Sequence, residues 1–435
     1  MPARGRHGDQ EVTSLPGERR RNPFPPLTGE PTLRALIASL YAPAVVNSLG
    51  QGAVIPVIAL MARHVGASVP LAGAIVGMRG LGTMLGDLPA GALVARLGDR
   101  RAVLVSAVVL MASGAGAATA SSPWALAASV FAMGVGWAVW SVSRLSYATE
   151  VLPALRRGRG IATLGGASRI GSFVGPLLGA VVISSTSTSS AFWMEVVAAA
   201  LACGLTAAAM PRQLPSGRTA GHRSSGSWAA MLPRRAAILG PGLGALLICA
   251  LRTSRQALLP LWASHIGVDA AGVSLVFAVS SGLDMLLFAP AGWASDRWGR
   301  KVMAATCLAF LAIGHLIVPF TRDLGELMAV GLLLGFGNGV GSGIVMTMGA
   351  DLSPPEGRAA FLGAWRFIAD TGTAGGPFLL SGLIAVTALT PAALVVGFLG
   401  LVAAVVMQAR MPEPSRRRGP ASPAVPEVVA DPAEE

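Results

Sequence analysis

Twelve apolar runs, each about as long as a bilayer core is thick, constrain this chain more than any other feature. They lie near 35–62, 71–94, 102–121, 124–147, 160–183, 191–210, 236–262, 272–294, 302–320, 325–349, 360–386 and 390–409. Lipid offers no hydrogen bonds to backbone groups, so runs of this length cross it as helices. Charged residues make up 12% of the chain, about half the roughly 25% of a soluble domain. Mean hydropathy is +0.63. A soluble enzyme, a disordered chain and a secreted disulfide scaffold are excluded on that basis. An all-α membrane protein of twelve transmembrane helices is expected.

The net charge of +12 does not point to nucleic acid, because the basic residues form short clusters between apolar runs. Counted over even-numbered connections and both tails they number 25, against only Arg63 and Arg322 in the odd-numbered ones. Basic loops stay on the cytoplasmic side. A multi-pass protein of the cell inner membrane, with both termini cytoplasmic, is expected. Residues 1–33 form a polar N-tail without a signal-peptide pattern. Residues 211–235 form an Arg-, Ser-, Gly- and Pro-rich linker, and the Pro-rich segment 411–435 reads as a disordered tail.

The chain repeats itself at a constant offset of 201. His64-Val65-Gly66 matches His265-Ile266-Gly267, and Pro89-Ala90-Gly91 matches Pro290-Ala291-Gly292. Gly134 and Gly136 match Gly335 and Gly337, Glu150 and Pro153 match Asp351 and Pro354, and Gly171, Gly175 and Pro176 match Gly372, Gly376 and Pro377. Two six-helix halves, 34–210 and 236–410, are therefore expected to face one another. Internal repeats of this kind build transporters that rock around a central site. Two halves in one chain also make a functional monomer plausible.

Two connections carry matching motifs. The first reads Gly91-Ala-Leu-Val-Ala95-Arg96-Leu-Gly98-Asp99-Arg100-Arg101, and the second Gly292-Trp-Ala-Ser-Asp296-Arg297-Trp-Gly299-Arg300-Lys301. Small residues suit a closely packed helix end, and a carboxylate there pairs with Arg. Glu150 and Asp351, at the ends of runs 4 and 10, are candidate partners for these arginines. Run 5 contains Gly171-x-x-x-Gly175-Pro176-x-x-Gly179, in which glycines four apart allow close helix contact and the proline bends the helix. Run 1 contains Leu49-Gly50 followed by Pro56-Val57.

The loop motif resembles the signature of the major facilitator superfamily, with Ala95 standing where that pattern has Asp. The run-5 motif resembles that of the twelve-span drug:proton antiporters, with Ala180 at its last position, and run 1 resembles their first-span motif, with Ala59 in place of a proline. The arginine those antiporters carry in span 4 falls here at Val130. The resemblance covers roughly residues 34–410. It implies two pseudo-symmetric six-helix halves, alternating access and export driven by a proton gradient. In that fold helices 2 and 11, and 5 and 8, meet between the halves, and helices 1, 4, 7 and 10 surround the cavity.

Ionisable groups inside a span are costly and mark function. The set comprises Arg79, Arg144, Arg169, Arg252, Arg255, Arg366, Asp87, Glu195, Asp284 and Asp370. The resemblance pairs Asp87 with Arg366 and Arg169 with Asp284 across the halves, as a gate on the cytoplasmic side. Local pairing of Arg366 with Asp370, or of Asp87 with Arg144, is the alternative. Asp87, Asp284 and Asp370 are the coupling candidates. Asn47, Gln51, Trp137, Trp140, Arg252, Arg255 and Asn338 are candidates for the cavity wall. Glu195 reads as structural on an outer helix, and His315 as a surface histidine.

Cys203, Cys249 and Cys307 lie within apolar runs, with no metal spacing. No phosphate-binding loop, metal cluster or nucleophile with a base is found. Neither a cofactor nor an enzymatic activity is expected. The partners are a small-molecule substrate and membrane lipids. Export of a small amphipathic molecule is favoured. The arginine excess keeps uptake or exchange of a small organic anion open, and a non-transporting sensor or a polytopic lipid enzyme stands as the rival class.

Overall fold

The computed structural model describes residues 32–153, 156–211, 235–353 and 358–410. The expected tails and most of the linker lie outside them, as does Pro354. The described chain is helical, without a strand. In order the helices are α1 (Leu33–His64), α2 (Val69–Leu97), α3 (Asp99–Ala118), α4 (Pro123–Val151), α5 (Arg157–Ser185) and α6 (Ser190–Ala209). The second half holds α7 (Arg235–His265), α8 (Ala270–Trp298), α9 (Arg300–Phe320), α10 (Leu324–Leu352), α11 (Arg358–Val386) and α12 (Leu389–Arg410). Ten of these are long and apolar enough to cross a membrane by length and composition alone. The other two, α7 and α11, carry Arg252 and Arg255, and Arg366 and Asp370, within their apolar stretches.

The repeat extends to the element boundaries. The ends of α2 at Val69 and Leu97 map by the same offset of 201 onto those of α8 at Ala270 and Trp298, and α5 maps onto α11 likewise. It extends to the contacts as well. A Cβ on Gly175 would strike the carbonyl of Leu49, and one on Gly376 that of Ala250. Gly171 and Gly372 make the corresponding approach to Val45 and Leu246. These glycines let α5 lie directly on the backbone of α1, and α11 on that of α7. Gly98 and Gly299 end α2 and α8 at φ of 80° and 95°, a left-handed conformation that favours glycine.

Two helices are interrupted along their length. A π turn at Ile37–Tyr41 and a 3-10 turn at Ile55–Val57, where Pro56 removes a donor, interrupt α1. The expected continuous tenth span is broken over 341–343, with Gly343 at φ 73°. The Gly341-Ser-Gly343 sequence supplies the freedom for that break.

The halves meet along α2 with α11 and α5 with α8. At the end of the bundle opposite the termini, one apolar cluster joins them through Val57, Ile58 and Met61 of α1, Leu258 and Trp262 of α7, and Leu380 of α11. Nearby, the Ser381 hydroxyl donates to the Pro70 carbonyl at 2.5 Å.

Candidate functional site

Charged side chains gather where the halves touch. Arg366 on α11 donates to Asp87 on α2, with Nη2 2.8 Å from Oδ2. Arg169 on α5 forms an ion pair with Asp284 on α8 and lies over the Phe288 ring, 4.6 Å from its centroid. Both inter-half pairs expected from the sequence are thus formed. Arg366 also faces Asp370 at 3.6 Å, one turn away on its own helix, so the local alternative coexists with the crossing one. The other alternative, Asp87 with Arg144, is not formed; Arg144 donates to Ser168 on α5, within its own half.

Arg169 and Asp284 sit midway along α5 and α8. The pair is nearly withdrawn from solvent, with side chains 23% and 13% exposed. Asp284 also accepts from the Ser342 hydroxyl at 3.1 Å, which ties it to the break in α10. Arg252 reaches two carbonyls at that break, donating to Gly341, which also accepts from the Ile344 N–H, at 2.5 Å and to Asn338 at 3.4 Å. A cation at a helix C-terminus is stabilised by the aligned peptide dipoles. Arg252 and Asn338 therefore build the wall of the centre through backbone contacts. Arg255 donates to Ser280 at 3.1 Å and is buried rather than reaching the surface.

In the first half, Gln51 sits between two charges. Its amide nitrogen donates to Glu195 Oε1 at 2.5 Å, and its oxygen accepts from Arg79. The Arg79 guanidinium lies 5.9 Å from the Trp137 ring centroid. Asn47 is buried one turn before Gln51, and neither end of its amide has a partner among the described residues. Trp140 is misplaced by the sequence reading. It packs with Val103, Ala107 and Ala202 between α3, α4 and α6, not on the cavity side. Glu195 reaches inward from α6 and is fully buried, and His315 is buried against Ser254 at 2.8 Å, not on the surface. His315 differs from expectation because position near a helix end says nothing of which face a side chain occupies.

The loop motifs behave differently in the two halves. Arg300 bonds Asp296 at 2.6 Å and Asp351 at 3.2 Å, linking α8, α9 and α10. In the first copy Ala95 stands at the place of Asp296 and Asp99 at that of Arg300, and Arg100, the counterpart of Lys301, donates to the Ala207 carbonyl of α6 at 2.7 Å. Arg297 lies over Trp293, and Arg96 and Glu150 are exposed. The close packing expected at Gly91 and Gly292 is absent: a Cβ on either meets open space. In α5, Gly171 and Gly175 touch backbone, Pro176 packs on Gly52, and Gly179 is looser, 3.6 Å from Ala53. Among the described residues no His, Cys, Asp and Glu cluster could hold a metal.

Twin six-helix halves meeting over partly buried ion pairs, with one helix broken, are the build of a membrane transporter. The family model described as Major Facilitator Superfamily matches residues 41–253 and 242–432. The chain belongs to the Major Facilitator Superfamily. Among curated relatives, it is 27% identical over 236 residues to the uncharacterized MFS-type transporter YcaD of Shigella flexneri, covering 54% of this chain and 60% of that one. It is 28% identical over 186 residues to the uncharacterized MFS-type transporter Rv1877 of Mycobacterium tuberculosis, covering 43% of this chain and 27% of that one. The chain thus spans less than two thirds of the length of these relatives. Among solved structures, a POT family transporter aligns at a TM-score of 0.73 and 12% identity over 86% of this chain and 96% of its own. A D-xylose-proton symporter aligns at 0.67 and 16% identity over 88% and 98%. Both likenesses concern the fold.

Proposed function

We propose that this transporter exports a small amphipathic molecule in exchange for protons. The observation that carries this reading is the pair of carboxylate–guanidinium contacts between the halves. Each half contributes one acid and one base, so the halves cannot part until those charges find other partners. A proton on Asp87 or Asp284, or a cationic ligand beside one of them, supplies the replacement and biases the two states. The α5 motif adds the resemblance to drug:proton antiporters.

Arg144, whose hydrogen-bond partner among the described residues is the neutral Ser168, favours the second reading, carriage of a small organic anion. Everted vesicles with an acidified lumen separate the two. Labelled tetraphenylphosphonium is expected to accumulate in wild type, stop when the gradient is collapsed, and fail to accumulate in Asp284→Asn. Uptake of labelled benzoate that persists without the gradient would replace export by the anion reading.

A further inference from the structure

Four carboxylates lie well inside the helices, and three of them touch a guanidinium: Asp87 and Asp370 face Arg366, and Asp284 faces Arg169. Glu195 is different. It is 0% exposed, and its bonded partner among the described residues is the neutral amide of Gln51. Its second oxygen, Oε2, has no partner there. A buried charge compensated this thinly is costly.

Packing does not require a carboxylate at this position. The offset of 201 maps Glu195 of α6 onto Val396 of α12, which is 3% exposed and fills the equivalent slot with hydrocarbon. Room for the acid has instead been made by two glycines. A Cβ on Gly50 would strike Oε2, and one on Gly114 would lie 2.9 Å from Val196 and 3.6 Å from Glu195 Cγ. Of the helices packed on the carboxylate, α1 presents Gly50 and Gln51 and α3 presents Gly114. The charged group that bears on it is Arg79 of α2, reached through Gln51.

We propose that Glu195 is a proton-binding site and that Gln51 transmits its state to Arg79. With Glu195 ionised, the amide NH2 of Gln51 donates to the carboxylate and its oxygen accepts from Arg79, so the three residues form a neutral chain. A proton bound at the carboxylate turns that oxygen into an O–H donor. The acceptor within reach is the Gln51 carbonyl, and the amide turns end for end to meet it. Its NH2 then faces the Arg79 guanidinium, donor against donor, and Arg79 is released with an uncompensated positive charge beside Trp137. Proton and cation therefore exclude one another at this end of the centre by charge. This deepens the proton-coupled export proposed above and rests on that reading for its place in the cycle, but the proton site itself is tested without transport.

The test is infrared difference spectroscopy of the purified protein in lipid, between acidic and alkaline buffer, following the C=O stretch of a protonated carboxylic acid. Wild type is expected to show a titrating band that Glu195→Gln abolishes and that Asp87→Asn and Asp284→Asn retain. Gln51→Leu, which keeps the acid, is expected to displace the midpoint of that band, and it decides the matter should Glu195→Gln not fold. A band that persists in Glu195→Gln, no band at any pH, or an unchanged midpoint in Gln51→Leu would overturn the proposal. A Glu195 band in a protein that does not accumulate tetraphenylphosphonium under a proton gradient supports the site and removes only the export reading.

Discussion

At the residue scale, the ion pair of Arg169 with Asp284 is the sharpest test of how the halves are held. Either residue alone leaves the other charge in a site that water hardly reaches. Arg169→Ala and Asp284→Ala are each expected to lower thermal stability in detergent. The double variant should lose less than the sum, by a coupling of about 0.5–3 kcal/mol. Additive losses would show that the two charges do not act on each other. These residues were legible in the sequence because a charge within an apolar run stands out whatever its orientation. The chain Glu195–Gln51–Arg79 was not. It joins three helices through one neutral amide, and nothing in a linear pattern distinguishes Gln51 from an ordinary interhelical glutamine. Trp140 and His315 were misjudged for the same reason: depth follows from counting residues, whereas the face a side chain occupies follows from packing.

At the scale of the element, the glycines of α5 are not equivalent, although the motif treats them alike. A Cβ on Gly175 would lie 2.9 Å from the backbone nitrogen of Ala53 in addition to striking the Leu49 carbonyl, so the two helices must separate to admit it. At Gly179 the nearest atoms are 3.6 Å away, an ordinary contact. Overpacking of this kind costs about 1–3 kcal/mol. Gly175→Ala is therefore expected to reduce the monodisperse yield on size-exclusion chromatography, and Gly179→Ala to leave it unchanged. Equal behaviour of the two variants would mean that α1 and α5 do not pack as closely as the structure has them. The glycine spacing announced that contact in advance. The break in α10 gave no such notice, because Gly341-Ser-Gly343 lies in a chain with 55 glycines. Its consequence, carbonyls reached by Arg252 and a serine turned toward Asp284, depends on side chains from α7 and α8.

Across the whole molecule, the repeat governs the scaffold and the loop motifs but not the charges inside the helices. Gly134 packs on the Arg79 carbonyl and Gly335 on that of Ser280, which is the same backbone contact 201 residues on. The side chains at those two places, a guanidinium and a hydroxyl, have nothing in common. The same offset pairs Gln51 with Arg252, Glu195 with Val396 and Asp284 with Thr83. In the proton-coupled cycle proposed above, symmetric backbones would make the two rocked arrangements similar in packing energy, and unlike charges would let a ligand or proton choose between them. That cycle predicts that motion of one half against the other opens the end opposite the termini, where Ser381 meets α2. A Cβ placed on Gly73 lies 3.4 Å from that of Ser381, close to the separation a disulfide spans. The Gly73→Cys, Ser381→Cys double variant is expected to crosslink on mild oxidation, to lose tetraphenylphosphonium transport while oxidised, and to regain it on reduction. Each single variant should transport under both conditions. A crosslinked protein that still transports would mean that this end stays closed throughout the cycle, and the ion pairs at mid-membrane would then be fixed struts and not contacts that open.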